Sequence, residues 1–107
     1  MTNEEFKELV LSFPGVSHQP HFERIAFKVD GKRIFATLLE EDQAVNIKLS
    51  KSDQEQFSSL DDAIFPVANK WGLQGWTTFR IARLDKDIVL TALQGAYDEV
   101  FKNKSTK

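Results

Sequence analysis

Residues 24–38 hold two alternating apolar–polar runs joined by Asp30-Gly31. That dipeptide is the strongest short-range signal for a hairpin with a two-residue turn. A turn this tight pins the register. Val29 is expected opposite Lys32, Phe27 opposite Ile34 and Ile25 opposite Ala36. Side chains alternate along a strand, so Ile25, Phe27, Val29, Ile34, Ala36 and Leu38 share one face. Arg24, Ala26, Lys28, Arg33, Phe35 and Thr37 share the other. The first face suits a core. The second is a basic surface carrying one aromatic, and it is the main functional hint in the chain.

The rest of the chain supplies elements to cover that core. Thr2-x-x-Glu5 is a capping-box pattern opening a helix with Phe6, Leu9, Val10 and Phe13 at helical spacing, ended by Pro14-Gly15. Residues 16–23 read as a polar connector holding both histidines. Glu40-Glu41-Asp42 reads as an acidic turn before a third strand over residues 44–49, with Val45, Ile47 and Leu49 inward and Asn46 and Lys48 outward. Ser52-x-x-Glu55 is a second capping-box candidate, opening a helix to about Leu60. Ile64-Phe65-Pro66-Val67 suits a short edge segment, because proline cannot donate to an interior ladder. Residues 75–81 form a further strand with Phe79 and Ile81 inward and Trp76, Thr78 and Arg80 outward. Asp85 caps a long last helix whose Ile88, Val89, Ala92, Leu93, Ala96, Tyr97, Val100 and Phe101 make one apolar stripe. Gly95 interrupts it, and a close helix–sheet contact would explain that. The order α-β-β-β-α-β-β-α is α+β: a two-layer sandwich of an antiparallel sheet with helices on one face. Phe27, Ile34, Ile47, Phe79, Leu93 and Val100 are expected in its core. One domain over residues 1–102 is expected, with a solvated tail at 103–107.

With 107 residues and no cysteine, the chain has no disulfide, thiolate metal site or cysteine nucleophile. The N-terminus lacks the basic flank and apolar run of a signal peptide, and no run approaches the ~20 apolar residues of a membrane helix. A cytoplasmic protein with no membrane association is the expectation. The formal charge of −2 argues against a generic polyanion binder, yet residues 63–84 contain no carboxylate while Lys70, Arg80 and Arg83 lie there.

The outward sheet positions collect Arg24, Lys28, Arg33, Lys48 and Arg80, with Phe35 and Trp76 among them. Cations neutralise phosphates and flat apolar groups stack on bases, so this interleaving suits nucleic acid. The pattern taken alone better suits a solvated face whose Lys and Arg blunt the sheet edges, since charge-studded open faces are commonplace. His18-Gln19-Pro20-His21 lacks a third ligand for a metal shell, and Pro20 extends the segment. Consecutive acids at 40–42 cannot all face one ion. No serine elbow accompanies His or Asp, and Gly72-Leu73-Gln74-Gly75 lacks the Lys and following helix of a phosphate loop. Trp71 and Trp76, flanking that segment, read as core anchors, with Trp76 also able to sit at a rim under the Trp71 loop. No catalytic, metal or cofactor site is expected.

With these elements in place the chain resembles the MmcQ/YjbR family over roughly residues 5–101. The resemblance rests on Phe13-Pro14-Gly15-Val16, on His21-Phe22 leading into Ile25-Ala26-Phe27-Lys28-Val29-Asp30-Gly31-Lys32, and on Phe35-Ala36. Gly75-Trp76-Thr77 after the proline-containing loop and Ala96-Tyr97 complete it. His21, Lys32 and Trp76 match the family pattern. The resemblance implies an α/β two-layer sandwich similar to secretion-chaperone and bacterial-frataxin-like folds, a bacterial protein, and the label of a DNA-binding protein with a double-wing motif. The expected function is a non-enzymatic module binding DNA through the basic open face. The alternative is a protein- or peptide-binding adaptor, or self-association, using the same face. An iron-related role is a third, implied only by the frataxin-like architecture.

Overall fold

In the computed structural model, which describes residues 1–102, helix α1 (Asn3–Leu11) starts at the expected capping box. Glu5 N–H donates to Thr2 Oγ1 at 3.0 Å, and Thr2 N–H donates to Glu5 Oε1 at 2.8 Å. Two of the first-turn donors that every helix leaves unpaired are thereby satisfied. Phe6 and Val10 from this helix are fully buried. The tail expected at 103–107 lies outside the described residues.

Six strands follow: β1 (Val16–His21), β2 (Arg24–Val29), β3 (Ile34–Leu39), β4 (Ala44–Lys48), β5 (Ile64–Pro66) and β6 (Trp76–Arg80). They form one antiparallel sheet in the order β1-β2-β3-β4-β6-β5. Helices α2 (Lys51–Leu60), α3 (Lys70–Leu73) and α4 (Lys86–Phe101) complete the α+β chain. The polar connector expected at 16–23 is in fact strand β1. Its polarity reflects its place at the sheet edge, where one flank faces water and Pro20 removes no interior hydrogen bond.

Pairing registers show which residues share a row. Ile25, Leu38, Val45, Phe79 and Ile64 are aligned across β2, β3, β4, β6 and β5 on the helix-covered face. Phe27, Ala36, Ile47 and Thr77 make the next row. Onto these pack Phe6 and Val10 of α1 and Val89, Ala92, Leu93, Ala96 and Val100 of α4. Phe6 meets Phe27 edge-on with ring centroids 5.7 Å apart. Each large apolar side chain so enclosed contributes about 1.5–3 kcal/mol relative to exposure.

The hairpin differs from its expected register in one instructive way. The Asp30-Gly31 turn forms, with Lys32 N–H donating to Val29 O at 2.8 Å and Gly31 at φ 76°. Beyond the turn, however, Phe27 faces Ala36 rather than Ile34, and the next residue, Lys28, faces Ile34. One step along β2 thus matches two along β3, and Phe35 is the extra residue of a β-bulge. The bulge turns Phe35 and Ala36 to the same side, so both are buried, while Ile34 leaves the expected core for the opposite face. The other five expected core residues are buried.

Two smaller corrections concern the helices. Helix α2 is capped by Ser50, whose hydroxyl accepts from Asp53 N–H at 3.1 Å, not by Ser52. Gly95 sits at a helix–helix approach rather than a helix–sheet one: a Cβ there would lie 3.1 Å from Asp53 Oδ2 of α2, close enough that the carboxylate would have to shift. Asp85 occupies the N-cap position of α4 without a side-chain capping bond. Among the described residues, no helix is long and apolar enough to cross a membrane.

Candidate functional site

All four helices cannot cover both faces of the sheet, and the face opposite the core is only partly closed. Its central row runs Gln19, Ala26, Thr37, Asn46, Thr78, Phe65 across all six strands. Above and below it alternate Ser17 and His21 on β1, Arg24 and Lys28 on β2, Ala44 and Lys48 on β4, and Trp76 and Arg80 on β6. None of these positions carries a carboxylate.

A groove of about 490 Å³ opens on this face. Ile34, Thr37, Asn46 and Trp76 form its floor, His21 and Arg24 close one end, and Val67, Asn69 and Trp71 line the other. Arg24 Nη1 donates to Thr37 Oγ1 over 3.4 Å, which holds the guanidinium over the sheet. The Thr78 hydroxyl donates to Asn46 Oδ1 at 2.7 Å, so the amide nitrogen of Asn46 is the end left for a ligand. Trp71 is half-exposed and Trp76 partly buried, so Trp71 lines the groove's end and Trp76 its floor, as the outward reading of Trp76 expected, rather than both anchoring the core.

The Trp71 wall is fastened from beneath. Gln54 of α2 is buried, and its Nε2 donates to Gly72 O at 2.9 Å, to Thr77 Oγ1 at 3.1 Å and to Trp76 O at 3.3 Å. Asn69 caps the four-residue helix α3 by accepting from Trp71 N–H at 2.9 Å. Gly72 is dictated by a close approach: a Cβ there would lie 2.0 Å from Val67 O. These contacts tie together the backbone that carries Trp71 and Trp76, a linkage that no local motif announces.

Of the expected face residues, Arg24, Lys28, Lys48, Arg80 and Trp76 are on the open face. Arg80 lies over the Phe65 ring, 5.6 Å from its centroid. Phe35 is not with them, and Arg33 is turned toward α4, where it lines a smaller pocket with Lys48 and Glu99. Phe35 is 1% exposed and meets the Tyr97 ring of α4 edge-on at 6.1 Å. Arg33 Nη2 donates to Glu99 O near the end of α4 at 3.3 Å. Both displacements follow from the bulge. Alternation alone turns Thr37, Asn46 and Trp76 outward, whereas sequence reasoning missed His21, Ile34, Val67, Asn69 and Trp71 as groove residues, Ile34 because of the bulge.

The two histidines diverge. His21 faces the groove, whereas His18 lies on the other side of β1, its ring 6.2 Å from that of Phe27. Among the described residues no three His, Asp or Glu side chains gather as metal ligands would. The acidic residues 40–42 form a 3₁₀ turn tied to α1 by a Lys7–Glu40 ion pair and by Asn3 Nδ2 donating to Glu40 O at 3.0 Å. That pairing with Glu40 raises the Lys7 pKa above its ordinary value.

Residues 11–99 match the model of the YjbR family. The crystal structure of Deinococcus radiodurans protein DR2400, described with the domain DUF419, is similar with a TM-score of 0.79 and 20% identity, over 99% of this chain and 83% of that one. At that identity the likeness concerns the fold. Comparison with curated proteins finds no match.

Proposed function

The chain belongs to the YjbR family, and from that premise we propose that it is a non-enzymatic module that binds DNA on the open face of its sheet. The observation that carries this reading is the segregation of charge. The open-face strand positions hold Arg24, Lys28 and Arg80 with no acidic residue among them, and Arg24 lines one groove with two indoles, while Lys48 lies beside a smaller pocket shared with Glu99. Glu23 and Asp30 border this face, Asp30 accepting from the Ser17 hydroxyl at 2.7 Å, while other acids point away from it. Glu40 pairs with Lys7 of α1, Glu99 with Lys102, and Asp53 faces α4. A phosphate backbone therefore meets cations locally despite the overall sign. The groove brings together imidazole, guanidinium, amide and hydroxyl groups but no base held by an orienting carboxylate, which supports binding rather than catalysis.

Fluorescence anisotropy with labelled duplex and single-stranded DNA at low salt tests the reading. With Arg24, Lys28 and Arg80 engaged, log affinity should fall against log salt with a slope of about −2 to −3. An Arg24→Ala/Lys28→Ala double variant should lose affinity, while Arg33→Ala, altered on the α4 side, should not. Absence of binding at low salt, or equal binding by wild type and the double variant, would remove DNA as the ligand. A salt-insensitive complex with a protein would instead favour the adaptor.

A further inference from the structure

The loop between β1 and β2 has two residues, Phe22 and Glu23, flanked by the paired His21 and Arg24. Phe22 takes the first loop position at φ 59°, and its side chain is 92% exposed. Neither property helps the fold. Left-handed backbone strains a residue bearing a Cβ, and two-residue hairpins place Gly, Asn or Asp at such positions. An exposed phenyl ring gains nothing from burial, and the neighbouring described ring is His21, edge-on at 5.0 Å. A turn shaped by stability alone would carry glycine at 22.

The position of this ring gives it a use. His21 and Arg24, on either side of the loop, both line the groove that holds Trp71 and Trp76. Phe22, edge-on to His21, therefore stands beside the end of the groove that His21 and Arg24 close, in a loop whose other residue is Glu23. Resting on the reading that this face takes DNA, we infer that Phe22 is a stacking contact for an unpaired base, with Arg24 beside it for the adjoining phosphate. A single strand presents base faces to such a ring, whereas a duplex keeps them stacked internally. The hairpin tip then selects single-stranded over double-stranded DNA.

Phe22→Gly separates this role from a structural one, because it removes the ring and relieves the strained backbone together. Anisotropy with a labelled oligothymidine should show a loss of about 5- to 150-fold, the span of one base–aromatic stack. Duplex affinity should change little, thermal stability should stay level or rise, and Phe22→Trp should retain single-strand binding. If wild type binds and Phe22→Gly binds oligothymidine equally well, the stacking role is overturned while the DNA-binding face stands. A lowered melting temperature in Phe22→Gly would mark the ring as structural and overturn the role. Failure of the wild type to bind any DNA overturns both.

Discussion

Replacing Phe35 by Ala tests the bulge, because the regular hairpin and the bulged one put this ring on opposite faces. In the regular register Phe35 is a surface aromatic, and its removal costs no more than an ordinary surface substitution, within about 0.5 kcal/mol. In the observed structure the side chain is 1% exposed and packed against Tyr97. A buried aromatic removes roughly 150–250 Å² from water. At about 25 cal/mol per Å² that is on the order of 4–6 kcal/mol, an upper bound set by an extended unfolded chain. Measured Phe→Ala losses in cores of about 3–5 kcal/mol agree with it. A domain of this size has roughly 5–15 kcal/mol in total, so the variant should remain folded but fragile. Urea denaturation monitored by circular dichroism gives the loss directly, provided the slope matches that of wild type. Ile34→Ala, on the open face, is the companion and should cost clearly less. A Phe35→Ala loss under about 1 kcal/mol, or an Ile34→Ala loss exceeding it, would refute the bulge.

Two further outcomes follow from contacts away from the hairpin. Gln54→Leu leaves the Gly72 and Trp76 carbonyl oxygens without their side-chain donor. Both oxygens keep backbone donors, Gly75 N–H and Val67 N–H, so the loss should be about 0.5–1.5 kcal/mol with altered tryptophan emission; an unchanged denaturation midpoint and spectrum would show that these bonds do not hold the groove wall. The Thr2 backbone N–H, donating to Glu5, lowers the Glu5 pKa from its usual 4.5. A depressed carboxylate stabilises the folded state above its unfolded pKa, and that contribution is lost as pH falls through the folded value. Glu5→Gln should therefore flatten the pH dependence of stability below pH 4.5, and identical curves for variant and wild type would refute the capping contribution.

Much of the architecture was legible because it depends on local chemistry. The Thr2–Glu5 box, the Asp30-Gly31 turn, the inward Val45, Ile47 and Phe79, the edge proline at 66 and the stripe of α4 all express rules that act within a few residues. What escaped depends on partners distant in sequence. Period-two alternation has no term for an extra residue, so the bulge at Phe35 reversed Ile34 and Phe35 and carried Arg33 to α4. A polar edge strand such as β1 lacks the apolar face that identifies interior strands. Ser50 and Ser52 are equivalent as cap signals until the chain direction leaving β4 is known. The groove was half legible: Arg24 and Trp76 were placed on the open face, but Trp71, Val67 and Asn69 reach it only because Gln54 ties α3 beneath them.

The strand order also separates the sheet into parts of different reach along the chain. The β1–β2, β2–β3 and β3–β4 ladders join neighbours in sequence, so each closes over a short loop. Strand β6 instead returns across α2, β5 and α3 to lie between β4 and β5. Closing that longer loop carries the larger entropic cost and places β6 late in assembly. Until it arrives, the outer edge of β4 presents unpaired amides and carbonyls beside Val45 and Ile47, an edge onto which a second unfinished chain could add. Trp76, the groove's floor, belongs to the strand that seals this edge, so the groove comes into being with the step that ends the chain's exposure to mispairing.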